Sequence, residues 1–136
     1  MNIIGIGTDL VSIARIRQVI ERHEERFAQR ILHPLEWARY SSQHDPAAFL
    51  ARRFALKEAV SKALGVGIGQ YMSLQDAWLE YTDLGQPTLG LSGQALATAQ
   101  RLGVVQKHVS LADEREFALA FVVLSGPAGQ VSCATE

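Results

Sequence analysis

Glu58 and Lys62 stand four residues apart in the stretch Arg53-Phe54-Ala55-Leu56-Lys57-Glu58-Ala59-Val60-Ser61-Lys62-Ala63-Leu64-Gly65. On a helix that spacing stacks a carboxylate and an ammonium on one side. Two chemistries fit. One is a solvated ion pair, with Glu before Lys in the favoured order and worth about 0.2–0.5 kcal/mol. The other is a cation and phosphate site, in which the carboxylate ligates Mg²⁺ and the lysine acts as a point charge on phosphate oxygens. The second needs another carboxylate, and Asp9 at the start of the chain is the candidate. The run Gly65-Val66-Gly67-Ile68-Gly69 follows directly, where backbone can turn freely and approach a ligand closely.

The elements around these residues read as an α+β chain. Asn2-Ile3-Ile4-Gly5-Ile6-Gly7-Thr8-Asp9 suits a short buried strand ending at Asp9, with two glycines marking close approach. An Asp there is equally a turn former. From Ser12, a plausible N-cap, to about Leu32 the pattern is helical, with Ile13, Ile16, Ile20, Phe27 and Ile31 near one side. His33-Pro34 breaks it and a shorter helix through Tyr40 follows. A polar linker, Ser41 to Pro46, precedes a long central helix from about Ala47 to Leu64. Leu56, Val60 and Ala63 form its apolar side, and Lys57 with Ser61 is expected as a second polar row beside Glu58 and Lys62. Leu74–Tyr81 and Thr88–Leu91 read as strands across a turn, and Ser92 caps a helix ended by Gly103. Val104–Leu111 and Phe117–Leu124 read as an antiparallel hairpin. The expected architecture is a small antiparallel sheet packed on the long central helix and further helices. Residues 1–125 read as one domain and 126–136 as a flexible tail.

Composition narrows the function classes. The chain has 136 residues, 48% hydrophobic and 20% charged, enough for one modest core. A net charge of −1 gives no general case for nucleic-acid binding. The lone cysteine, Cys133, excludes an intramolecular disulfide framework and a cysteine-rich zinc site. His23, His33 and His44 are scattered, with no shared metal-binding pattern. With no charged segment leading an apolar one and no membrane-length apolar run, the expected compartment is the cytoplasm, with no membrane partner. Arg15, Arg22 and Arg26 recur at spacings of seven and four, either as part of a solvated mixed-charge face or as a stripe for an acidic partner.

Gly5-Ile6-Gly7-Thr8-Asp9-Leu10-Val11, then Arg15-Ile16, then Phe54 to Gly65 together resemble the phosphopantetheinyl transferases of the short, single-domain type. Gly85-Gln86-Pro87, Leu102-Gly103-Val104 and Val109 to Arg115 extend the likeness over nearly the whole chain. The resemblance implies that family's fold and transfer of the phosphopantetheine of coenzyme A to a serine of an acidic apo acyl carrier protein, as in fatty acid biosynthesis. It implies Mg²⁺ held by Asp9 and Glu58, and Lys62 offsetting charge on the diphosphate. It places Lys62, Gly65, Gly67 and Arg53 at the coenzyme. Glu58 becomes the candidate base, directly or through water, with Glu36 a lesser one. Arg15, Arg22 and Arg26 become the carrier-protein docking surface, and the assembly a homotrimer with active sites at subunit boundaries. Two departures stand out. Val66 replaces a hydroxyl residue common in the family, and Ala112-Asp113 replaces a Ser-His pair, so the histidine's role does not transfer. Competing readings are a Mg²⁺-dependent nucleotide phosphohydrolase and a non-catalytic carrier-protein or coenzyme A binding module.

Overall fold

The computed structural model describes residues 1–127. Cys133 and the expected tail from residue 128 onward lie outside the described residues.

Strand β1, Asn2–Ser12, pairs antiparallel along its whole length with β5, Phe117–Gly126. Strand β4, Gln106–Asp113, pairs with the other side of β5 to give a three-stranded sheet of order β1-β5-β4. The expected hairpin is therefore present, and Gly126, expected in the tail, is its last strand residue. Strands β2, Ala77–Tyr81, and β3, Pro87–Leu91, form a separate two-stranded antiparallel sheet.

Alternation along β1 decides which residues meet the core. In register with the buried Leu124, Val122, Ala120 and Ala118 lie Gly5, Gly7, Asp9 and Val11. Strand geometry puts directly paired residues on one face. Asp9 is thus an inward residue within a strand that continues to Ser12. It does not end the strand, because the β5 ladder keeps pairing past it. Facing outward are Ile6, Thr8 and Leu10, beside Leu119 and Phe121.

The inward face packs on helix α4, Pro46–Leu64. Asp45 caps it, its carboxylate accepting from the Ala48 amide, and Pro46 fits the first turn, where no backbone donor is needed. Gly65 ends it in a left-handed conformation (φ +75°). The two strand glycines are demanded by this packing. A Cβ on Gly5 would collide with the Ala63 carbonyl, and one on Gly7 with the Ala59 carbonyl. Backbone therefore lies directly on backbone, with alanines on the helix side.

Helix α4 is enclosed nearly all round by the sheet and by the other helices. The expectation of a polar row at Lys57 and Ser61 fails on this point: Lys57 is 0% and Ser61 3% exposed. The single helix expected from Ser12 to Leu32 is two, α1, Ile13–His23, and α2, Arg26–Ile31. Ser12 does cap α1, accepting from the Arg15 amide. Between the helices Glu24 takes φ +53°, and α2 turns inward to bury Ala28 and Ile31 and set Phe27 against Phe54. The short element after His33 is a single 3-10 turn, Pro34–Glu36, leading into α3, Trp37–Ser41. Helix α5, Gly93–Leu102, ends at Gly103 as expected. The Ser92 side chain does not cap it; Asp76 accepts from the Ala95 amide instead.

Candidate active site

Two turns of α4 and the inner face of β1 bring together the three residues singled out by type. The Lys62 ammonium donates to Asp9 Oδ1 at 3.1 Å and to the Thr8 carbonyl at 2.9 Å. Its side chain is 54% exposed and that of Asp9 18%. Glu58, one turn earlier on α4, is half-buried beside them. Burial pushes the Glu58 carboxyl above its ordinary range, the nearby Asp9 charge pushes it further, and Lys62 partly offsets both.

The two carboxylates of this cluster lie at the polar end of a cavity of about 400 Å³. Asp9, Glu58 and Arg15 line it, and Val11, Ile16, Val19, Phe27 and Phe54 supply an apolar wall. The donor set suits a hard cation. It offers carboxylate oxygens only, and among the described residues no three or more His, Cys, Asp or Glu side chains gather to cage an ion. Mg²⁺ is commonly held by one or two carboxylates, with waters and substrate phosphates completing its shell. The electrostatics agree: two carboxylates face one cavity, one of them already drawing an ammonium.

The remaining expected residues are dispersed. Arg53, expected at the coenzyme, is instead 2% exposed, its guanidinium 3.2 Å from Glu36 and stacked over the Phe49 ring. Glu36, the lesser candidate for base, is equally buried. It accepts from the Lys57 ammonium at 2.7 Å and from the His33 and Leu79 amides. It lies outside the cavity lining and ties the 3-10 turn to α4 and β2. This buried Lys57–Glu36–Arg53 cluster escaped sequence reading because Glu36 lies 21 residues from Lys57.

The glycine run also differs from expectation. The Gly65 amide is spent on the helix end, donating to the Lys62 carbonyl, and the Val66 amide donates to Ser61. Neither is free for a phosphate. The Gly67 amide has no protein acceptor among the described residues, and space beside its Cα is open. Arg15 stands at the cavity, and Arg22 is exposed further along α1. Arg26 begins α2 beyond the Glu24 bend, so the three arginines do not continue one helical row. Asp113, one of the two departures from the resemblance, pairs with Arg52 of α4 at 3.2 Å.

Residues 5–122 match the model of the 4'-phosphopantetheinyl transferase superfamily. The holo-[acyl-carrier-protein] synthase of Photorhabdus laumondii is 52% identical over 124 residues, covering 91% of this chain and 98% of that protein. Among solved structures, the Neisseria meningitidis synthase superposes with a TM-score of 0.86 at 35% identity, over 91% of this chain and 99% of that one. The Helicobacter pylori synthase, solved in complex with coenzyme A, superposes at 0.77 with 35% identity, over 88% and 99%.

Proposed function

The chain belongs to the 4'-phosphopantetheinyl transferase superfamily, and from that premise we propose that it moves 4'-phosphopantetheine from coenzyme A to a serine of apo acyl carrier protein, as in fatty acid biosynthesis. The observation that carries this reading is the meeting of Asp9 and Glu58 at the polar end of a cavity with an apolar wall, with Lys62 bound to Asp9. A diphosphate belongs at the charged end, and the uncharged pantetheine arm suits the wall of Phe27 and Phe54.

In the reaction the serine Oγ forms a bond to the pantetheine-side phosphorus. The bond from that phosphorus to the bridging oxygen breaks, and adenosine 3',5'-bisphosphate leaves with the electron pair. The serine proton passes to the Glu58 carboxylate, directly or through a water. Lys62 Nζ meets the charge that gathers on the diphosphate as the bond lengthens, which lowers the barrier more than it favours the ground state. The Gly67 amide remains available as a further donor to phosphate oxygen. Mg²⁺ held by Asp9 and Glu58 would supply Lewis-acid polarisation of the diphosphate.

Arg15, Arg22 and Arg26 would receive the acidic carrier protein, Arg15 at the cavity itself. The reading treats residues 1–125 as one transferase domain working as a homotrimer in the cytoplasm. Support for self-association comes from the outer face of the sheet, where Phe117, Leu119 and Phe121 are at least 40% exposed and Leu10 is 61% exposed. No helix among the described residues is long and apolar enough to cross a membrane.

Mass spectrometry of apo carrier protein after incubation with the enzyme, coenzyme A and Mg²⁺ tests the reading. The expected product is heavier by one phosphopantetheine, and Glu58→Ala abolishes it. Rapid cleavage of coenzyme A without acceptor would instead indicate a hydrolase.

A further inference from the structure

The Lys62 ammonium already holds one carboxylate oxygen of Asp9, the residue that would share a metal ion with Glu58. It donates to Asp9 Oδ1 and is steadied by the Thr8 carbonyl on the same strand. The carboxylate of Glu58, one turn before Lys62 on α4, has no hydrogen-bond or ion-pair partner among the described residues; the Ser61 hydroxyl donates to the Glu58 backbone carbonyl instead. The two carboxylates of the site are therefore unequal: one already holds a cation and the other waits for one.

Two of the three N–H donors of Lys62 are spent on β1, and a divalent cation arriving at Asp9 would repel the ammonium held there. We propose that Lys62 is a resident counter-ion of Asp9, displaced when the divalent cation binds and thereby released toward the diphosphate. The proposal rests on the transferase reading of the site and adds an order to it. Metal entering at Asp9 frees the lysine, and phosphate oxygens drawing the lysine away free Asp9. Each ligand thus favours the other, and by linkage the effect is reciprocal. The geometry suits an exchange rather than a fixed bond, because the lysine stem is flexible, the ammonium is more than half exposed and the pair is correspondingly weak. The contrast with Lys57 on the same helix is direct. That ammonium is fully buried, bound at 2.6 Å to the Ile31 carbonyl and at 2.7 Å to Glu36, and has nowhere to move.

The test is Mn²⁺ binding to the full chain without coenzyme A, followed by electron paramagnetic resonance. Lys62→Gln removes the competitor and is expected to tighten Mn²⁺ binding about threefold or more, the scale of a partly exposed ion pair. Arg15→Gln removes a charge from the same cavity without touching Asp9 and is expected to tighten it less. Coenzyme A should improve Mn²⁺ affinity by a smaller factor in Lys62→Gln than in the wild type. In NMR of the lysine ammonium groups, Mg²⁺ alone should shift the Lys62 signal and leave Lys57 in place. Unchanged or weaker binding in Lys62→Gln, or equal tightening in Arg15→Gln, would overturn the exchange. If neither wild type nor Lys62→Gln binds Mn²⁺, with or without coenzyme A, the ion site of the transferase reading itself fails.

Discussion

Replacing Glu36 by Gln separates two roles a buried carboxylate could play. The carboxylate is 2% exposed and faces two cations, Lys57 at 2.7 Å and Arg53 at 3.2 Å. Burial pushes both cations below their ordinary ranges, and Glu36 pulls them back. Gln keeps the shape and an acceptor but leaves two buried positive charges uncompensated. Removing one partner of such a pair costs about 3–5 kcal/mol. With about 2.1 cal/mol/K of unfolding entropy per residue over 136 residues, the melting temperature should fall by about 10–17 °C. The loss should shrink as pH rises from neutral toward the ordinary lysine range. A base whose folded pKa lies below its unfolded one gains folding stability as pH climbs through the folded value, and Lys57 can then sit buried as a neutral amine. Circular dichroism melts at pH 7 and 9 measure both effects. Turnover per folded molecule, assayed well below the melt, should persist. A melting temperature lowered by less than about 3 °C together with lost turnover would refute the reasoning and return Glu36 to the role of proton acceptor.

Gly7→Ala drives a Cβ into the Ala59 carbonyl and to 2.8 Å from the Ala63 amide, so urea unfolding should show a loss of about 1–3 kcal/mol or more. The same change should weaken Mn²⁺ binding, because Asp9 is the next inward residue of that strand. Glu58→Gln should raise the melting temperature of chelator-treated protein at neutral pH. The folded Glu58 carboxyl holds its proton more tightly than the unfolded chain does, so its contribution favours folding below the ordinary carboxylate range and is lost as pH rises through the raised value. The gain should vanish near pH 4, and a less stable variant at neutral pH would contradict the assignment. Reversing charge at Arg22 to Glu, away from the cavity lining, should weaken carrier-protein binding at low salt and leave coenzyme A affinity nearly unchanged, as read by calorimetry at two ionic strengths. Equal losses for both ligands would argue against a separate docking face.

What the sequence made legible was whatever a short-range pattern dictates. Gly5, Gly7 and Asp9 sit at period two, so a close helix contact and a carboxylate on one face follow together, and α4 with its Gly65 end follows from helix formers and a left-handed stop. The hairpin of β4 and β5 was visible in its two apolar runs. The bend at Glu24 was not, because nothing in that residue type favours positive φ; burial of Ala28 and Ile31 imposes it. Nor was the separation of the β2–β3 pair from the other sheet: the turn shows that these two strands adjoin, but which distant strands they leave unjoined has no local trace.

The sharpest limit lies within two consecutive residues. Lys57 and Glu58 differ in position by about 100° around α4, a consequence of 3.6 residues per turn. That rotation sends one into the core against Glu36 and the other to the cavity beside Asp9. A helical wheel supplies the angle but not which arcs are covered, and α4 is covered on nearly every side. The open arc runs through Phe54, Glu58 and Lys62, none of them fully buried. It lies beyond the edge of the β1 contact, where the seam of Gly5 and Gly7 against Ala63 and Ala59 gives way to the longer side chains of Asp9 and Glu58. The site exists because the strand changes there from glycine to aspartate, moving from a backbone that touches the helix to a carboxylate that stands off from it.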